Sequence, residues 1–163
     1  MCSGWYGANL LKNTVKEEIL IMKNQLNLFK ECDAPCMVVA EVSGSIQGQA
    51  KIPLSKRPIL NNDEWKIFYD KINEISKYME DSGVPLAYHH HMGTVVQSQE
   101  DTERLIDNTL DTVKLLIDTG HMMFAGGDFE KIAKDYSTRL YHVHCKDIRK
   151  DILDIALKDD LSF

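Results

Sequence analysis

The chain has 163 residues, 44% of them hydrophobic and 27% charged, with a formal net charge of -6. That balance suits one globular domain and excludes wholesale disorder. It argues against a nucleic-acid partner, and no run approaches the roughly 18 apolar residues of a membrane-spanning helix.

Met1 to Leu11 has neither the basic start nor the apolar stretch of a secretory leader, so the expected setting is the cytoplasm. Trp5 and Tyr6 suit either a core or a surface that stacks on substrate. Thr14 to Glu17 reads as a capping box, and Ile19, Met22, Leu26 and Phe29 then recur at helical spacing, predicting a helix over 15–31. The run Cys36 to Val42 is apolar and valine-rich, as in a strand buried on both faces. Asn62 and Asp63 can cap a second helix, whose stripe is Phe68, Ile72, Ile75 and Met79 and whose end is Ser82-Gly83. Val84 to Tyr88 reads as a strand, Ser98 to about Asn108 as a helix, and Val113 to Ile117 as another buried strand. Asp128 caps a helix over 129–136, Arg139 to His144 alternates as a strand, and Asp151 to Phe163 is weakly helical.

Strand and helix patterns alternate four times with short connections, which predicts parallel strands joined by crossover helices. The architectures that fit are a doubly wound sheet and a (β/α)8 barrel. No glycine-rich phosphate loop follows a strand, which weakens the nucleotide-binding version of the former. The cysteines at 2, 32, 36 and 145 lack zinc-finger spacing and read as free thiols, with Cys36 in the core.

All six histidines fall at predicted strand ends or just beyond them, on the face that binds ligands in parallel α/β folds. In Asp118-Thr-Gly-His121 a carboxylate and an imidazole can turn into one cavity and suit a divalent ion, although a helix-capping Asp with an incidental His has the same spacing. His142 and His144 share one side of a strand. The one nearer the strand end, His144, is the better ligand, with His142 packed one layer deeper. Alternation lets two members of the triplet His89, His90 and His91 share a side, namely 89 and 91. Gly93 permits close backbone approach or an unusual φ. Glu41 ends its strand after four apolar residues and could bind a substrate hydroxyl or transfer protons. The polar loop Ser43 to Gly48 suits hydroxyl recognition.

The stretches 86–96 (LAYHHHMGTVV), 116–121 (LIDTGH) with 125–128 (AGGD), 142–149 (HVHCKDIR) and 39–48 (VAEVSGSIQG) resemble the inosose dehydratase family within the xylose-isomerase-like barrels. The resemblance implies a TIM barrel and a hydro-lyase of inositol catabolism that dehydrates 2-keto-myo-inositol, a small polyol ketone, with Mn or Co. It matches Asp118 and His144 to metal ligands and places His89 where the wider superfamily carries a Glu ligand. Which histidine of 89–91 binds metal stays open. Glu41, His89, His91 and His121 are the expected catalytic groups. Substrate contacts are expected from His90, His121, Lys146 and Arg149, with His121 matching a substrate-contacting histidine and Arg149 only near such a position. A full barrel needs roughly 250 residues and eight strands. The expectation is therefore a single incomplete barrel domain over 1–163, truncated at both ends, holding strands four to seven and the end of the third. Its unpaired edges would be 36–42 and 139–144. A homo-oligomer is compatible with this. The competing readings are a sugar isomerase or epimerase of the same superfamily and a non-catalytic remnant.

Overall fold

The structure is a computed structural model that describes residues 4–163. Five strands, β1 (Trp5–Ala8), β2 (Met37–Glu41), β3 (Leu86–His89), β4 (Val113–Asp118) and β5 (Leu140–His144), form one sheet in sequential order, every neighbouring pair parallel. Between them run α1 (Val15–Glu31), α2 (Asn62–Asp81), α3 (Gln99–Asp107), α4 (Thr119–Phe124) and α5 (Phe129–Asp135), and α6 (Lys150–Lys158) follows β5. The expected alternation is present and amounts to a partial barrel.

Local chemistry explains the helix starts. Thr14 and Glu17 form the expected reciprocal cap on α1, and Ser98 and Asp101 do the same on α3. The start of α2 differs from expectation: Asn61, not Asn62 or Asp63, is the cap. Asn61 Oδ1 accepts from the backbone N–H groups of Asp63 and Glu64, and the Glu64 carboxylate reaches back to the Asn61 N–H. Only Asn61 has a carboxylate three residues on, which is what the reciprocal cap requires.

Strand side chains alternate between two faces. Met37, Val39, Leu86, Tyr88 and Val113 join Met22, Leu26 and Phe29 of α1 and Phe68, Ile72, Ile75 and Met79 of α2 in the main core. Each such side chain, fully buried, stabilises by about 1.5–3 kcal/mol. The opposite face carries Val38, Ala87 and Leu116, packed with Cys36. In a closed barrel this face lines the interior.

Two expectations are corrected. The 36–42 strand is not an edge, because β1 pairs along it from Trp5↔Val38 to Ala8↔Glu41. The edges are β1 and β5. Helical structure in the last segment stops at Lys158 instead of running to 163. Trp5 and Tyr6 divide between two roles: Tyr6 is buried and its hydroxyl donates to Glu18, whereas Trp5 is 43% exposed.

The β4–β5 ladder slips between Leu115↔Leu140 and Leu116↔His142, leaving Tyr141 as an extra residue. A strand offset by one residue exchanges its faces. The bulge thus sets His142 and His144, rather than Tyr141 and Val143, on the interior face beside Leu116 and Asp118.

Arg139 precedes β5 and holds the opposite end of the sheet. It is buried, and its guanidinium donates to the carbonyl oxygens of Ile106, Thr109, Leu110 and Val113. Replacing it with leucine strands these acceptors, so Arg139→Leu should lower unfolding free energy in urea by about 3 kcal/mol. A loss under about 1 kcal/mol would show that solvent satisfies them instead.

Candidate metal centre

Register brings the strand ends level: Asp118 pairs with His144, and His89 with Leu116, all on the interior face. Asp118 is fully buried and its two oxygens have separate tasks. Oδ1 accepts the His121 backbone N–H at 3.0 Å, capping α4. Oδ2 faces His144 Nδ1 at 3.3 Å, His89 Nε2 at 3.7 Å and His121 Nε2 at 3.9 Å, and contacts the Lys146 ammonium. The capping and functional readings of Asp118 thus hold together, one on each oxygen.

Burial pushes the Asp118 carboxyl up, but the Lys146 ammonium, the His121 N–H and the nearby imidazole outweigh it and hold it well below the usual carboxylate range. Burial pushes the imidazoles of His89, His90, His91, His121 and His144 down, and the neighbouring histidines add to the effect. The site therefore combines one carboxylate with neutral imidazoles whose lone pairs are available.

This donor set fits a divalent transition metal. Ligand atoms of His89, Asp118 and His144 lie within 4.8 Å of one another. His89 Nδ1 is buried without a hydrogen-bond partner, and the protein's own ammonium already sits against Asp118, where positive charge is favoured. Gly120 makes that approach possible, since a Cβ there would meet Lys146 Cβ at 2.7 Å.

Other expected residues are placed differently. His91 is buried beside the cluster, with its Nδ1–H donating to the Met92 carbonyl at 2.8 Å. The His91 and His121 rings are 3.8 Å apart. His90 faces the β4 backbone: its Nε2 accepts the Asp118 N–H at 3.1 Å and its Nδ1 is buried without a partner. It thus holds the backbone of Asp118 and has no free acceptor for a substrate hydroxyl. His142 lies level with Leu116, one layer deeper than His144. Arg149 is exposed at the start of α6 and is not brought to the cluster.

Glu41 does not join the histidines either. It shares strand parity with Met37 and Val39, so it turns to the helix-packed side. There its oxygens accept the N–H groups of Leu10 at 2.7 Å and Ser43 at 2.6 Å. Burial pushes its carboxyl up, the Ser43 side chain and the two N–H groups oppose this, and the Glu18 charge adds to the rise. Glu18, in turn, accepts from Asn9 N and Asn13 Nδ2, while Lys71 donates to the Leu10 and Asn13 carbonyls. Together these groups pin the loop after β1.

The Ser43–Gly48 loop packs against the turn that follows the triplet: Ile46 N and Ser45 Oγ both donate to the Gly93 carbonyl. Gly93 has φ 80, and a Cβ there would come 3.1 Å from Gln47 N, so both reasons for glycine apply. A cavity of about 150 Å³ is lined by His121, Lys146, Phe124 and Phe163. A larger one of about 330 Å³, walled by Leu54, Arg57, Met92 and Leu157, touches none of the histidines and not Asp118. Chemistry favours the smaller cavity. Sequence reasoning gave no signal for Phe163, whose ring lies 5.1 Å from that of His121.

The chain belongs to the xylose isomerase-like TIM barrel family, whose sequence pattern matches residues 2–159. Over its whole length it is 38% identical to the rhizopine catabolism protein MocC of Rhizobium meliloti, covering 50% of that protein. It is 36% identical to inosose dehydratase 2 of Bacillus cereus, covering 55% of that protein. The chain thus spans about half the length of these curated relatives. Two crystal structures share the fold. The probable 3-DHS dehydratase AsbF of Bacillus anthracis has a TM-score of 0.71 at 14% identity, over 94% of this chain and 52% of that one. The IOLI protein with a bound zinc atom has a TM-score of 0.61 at 18% identity, over 86% and 49%.

Glu41→Gln presents an amide N–H₂ where an oxygen now accepts a backbone N–H. It should lower unfolding free energy by about 1–3 kcal/mol while leaving Mn²⁺ affinity unchanged. Unaltered stability with lost Mn²⁺ binding would instead place Glu41 in the metal centre.

Proposed function

We propose that this chain carries the metal-holding part of a hydro-lyase that removes water from a polyhydroxylated ring ketone, 2-keto-myo-inositol (scyllo-inosose), in inositol breakdown. The observation that carries the reading is the convergence of His89, His144, His121 and Lys146 on one oxygen of a buried carboxylate. The substrate class is supported by the inosose dehydratase names of relatives that align with the whole chain.

Asp118, His89 and His144 would hold a divalent ion, with Mn or Co as the proposed metals. When bound, such an ion polarises a ketone oxygen and so acidifies the adjacent C–H. The remaining steps belong to the chain's own side chains. A carbonyl oxygen can only accept, so the His91 bond to Met92 O puts the proton on Nδ1 and leaves the lone pair on Nε2. His91 Nε2 is the proposed acceptor of the acidic C–H proton. Departure of the β-hydroxyl as water requires a proton; the His91 imidazolium formed in the first step would supply it, with the His121 ring 3.8 Å away on the cavity wall as the relay. Lys146, on the same cavity wall, would move from Asp118 to a substrate hydroxyl as the ion arrives.

The chain supplies five parallel strands where a complete barrel has eight, so the proposal is confined to groups on these strands. A cytoplasmic setting fits the free thiols of Cys32, Cys36 and Cys145; Cys2 lies outside the described residues. Among the described residues no helix is long and apolar enough to cross a membrane.

Two measurements test the reading. Mn²⁺ titration should give one site per chain, and Asp118→Asn should weaken it by more than the roughly 10–100-fold typical of outer-sphere changes. Incubation of the Mn²⁺-loaded chain with scyllo-inosose should then produce the ultraviolet absorbance of the trihydroxycyclohexane dione. An isomerase or epimerase would consume the ketone without it. A chain that binds Mn²⁺ yet neither binds nor alters scyllo-inosose contradicts the substrate assignment.

A further inference from the structure

His89 also belongs to a second donor group, with His91 and His121, distinct from the Asp118 position though built from side chains of the same site. One ring nitrogen from each of His89, His91 and His121 lies within 4.8 Å of the other two, and all three side chains are buried. The ring centroids are 5.2 Å apart for His89 and His91, 5.3 Å for His89 and His121, and 3.8 Å for His91 and His121. The three rings therefore surround one small space. His91 can offer only Nε2 to it, because Nδ1 is committed to the Met92 carbonyl. The Met92 N–H approaches His121 Nδ1 at 3.5 Å, too long to fix the tautomer, so either His121 nitrogen can carry the lone pair. His89 Nδ1 is buried with no partner. The Phe163 ring lies 5.7 Å from His91 and 5.1 Å from His121 and gives the group an apolar cover.

We propose that His89, His91 and His121 form a three-imidazole position for a borderline transition-metal ion such as Zn²⁺ or Cu²⁺, alternative to the Asp118 position proposed above. The two positions share His89. A neutral imidazole has one lone pair, so His89 serves one ion at a time and the positions exclude each other. The ion itself selects between them. A carboxylate with two imidazoles suits Mn²⁺, whereas three nitrogens and no charge favour ions late in the Irving–Williams order. Zn²⁺ or Cu²⁺ at the imidazole position withdraws His89 from the Asp118 site and so displaces Mn²⁺ without occupying its place.

The test titrates the metal-stripped full chain with Cu²⁺ and, separately, with Mn²⁺, and reads the Cu²⁺ coordination by electron paramagnetic resonance. Three coordinated nitrogens are expected at the first equivalent. Asp118→Asn should keep Cu²⁺ affinity within about threefold of wild type, whereas His121→Ala should weaken Cu²⁺ about tenfold or more and leave Mn²⁺ nearly unchanged. Two nitrogens, with Cu²⁺ binding abolished by Asp118→Asn, would overturn the proposal by placing Cu²⁺ at the mixed site. Unchanged Cu²⁺ affinity in His121→Ala would overturn it as well. The nitrogen count needs no variant, so a poorly folded His121→Ala protein leaves it decisive. Three nitrogens in a chain that fails to bind Mn²⁺ would support the imidazole position and refute the Asp118 one.

Discussion

A carboxylate removed from water yet kept ionised is the constraint around which this molecule is arranged. Burial alone pushes the Asp118 carboxyl towards its neutral form. It stays charged because the Lys146 ammonium and the helix-capping His121 N–H are held against it from the ends of two different strands. Three strand ends have to agree in height for His89 and His144 to face it as well. The β3–β4 and β4–β5 registers supply that agreement, and the bulge at Tyr141 supplies the correct face. Gly120 supplies the last requirement, room for the Lys146 stem.

The two faces of the sheet divide the work. One face is filled by the aliphatic and aromatic side chains of α1 and α2 and provides most of the apolar burial. The other carries the donor groups. Polar residues at strand ends fall on either face by parity alone, and this separates Glu41 from His89 although both stand at carboxyl ends of strands. His90 follows His89 in sequence and serves the site through the backbone, whereas Glu41 serves the loops at the ends of β1 and β2. Glu41 fixes the loop after β1, and His90 receives the N–H of Asp118 itself. The bonds Glu41 accepts from Leu10 and Ser43 serve the fold of these loops.

Much of this was legible in the residues. Valine-rich runs, periodic stripes and capping residues gave β2 to β5 and α1, α2, α3 and α5 nearly to their ends, and the position of histidines at strand ends gave the cluster. Four features left little trace. β1 is four residues long and contains a glycine, too short for alternation to register. α4 follows β4 with no intervening loop and has a glycine in its first turn, so its start looked like a turn. The face chosen by Glu41 depends on which strand residues the helices cover. Its shared parity with Met37 and Val39 was available, but a carboxylate after an apolar run drew attention to its chemistry instead. The Lys146 contact with Asp118 is set by tertiary approach through Gly120 and has no local signature.

The proposed metal position requires a divalent ion to replace the Lys146 ammonium against Asp118. Crystals of the chain grown with Mn²⁺ and examined by anomalous scattering address it most directly. The account predicts one strong peak at bonding distance from Asp118 Oδ2, His89 and His144, with the Lys146 ammonium swung away. A peak elsewhere, or none, with Lys146 still against the carboxylate, would mean that the buried charge is an internal ion pair and not a metal centre.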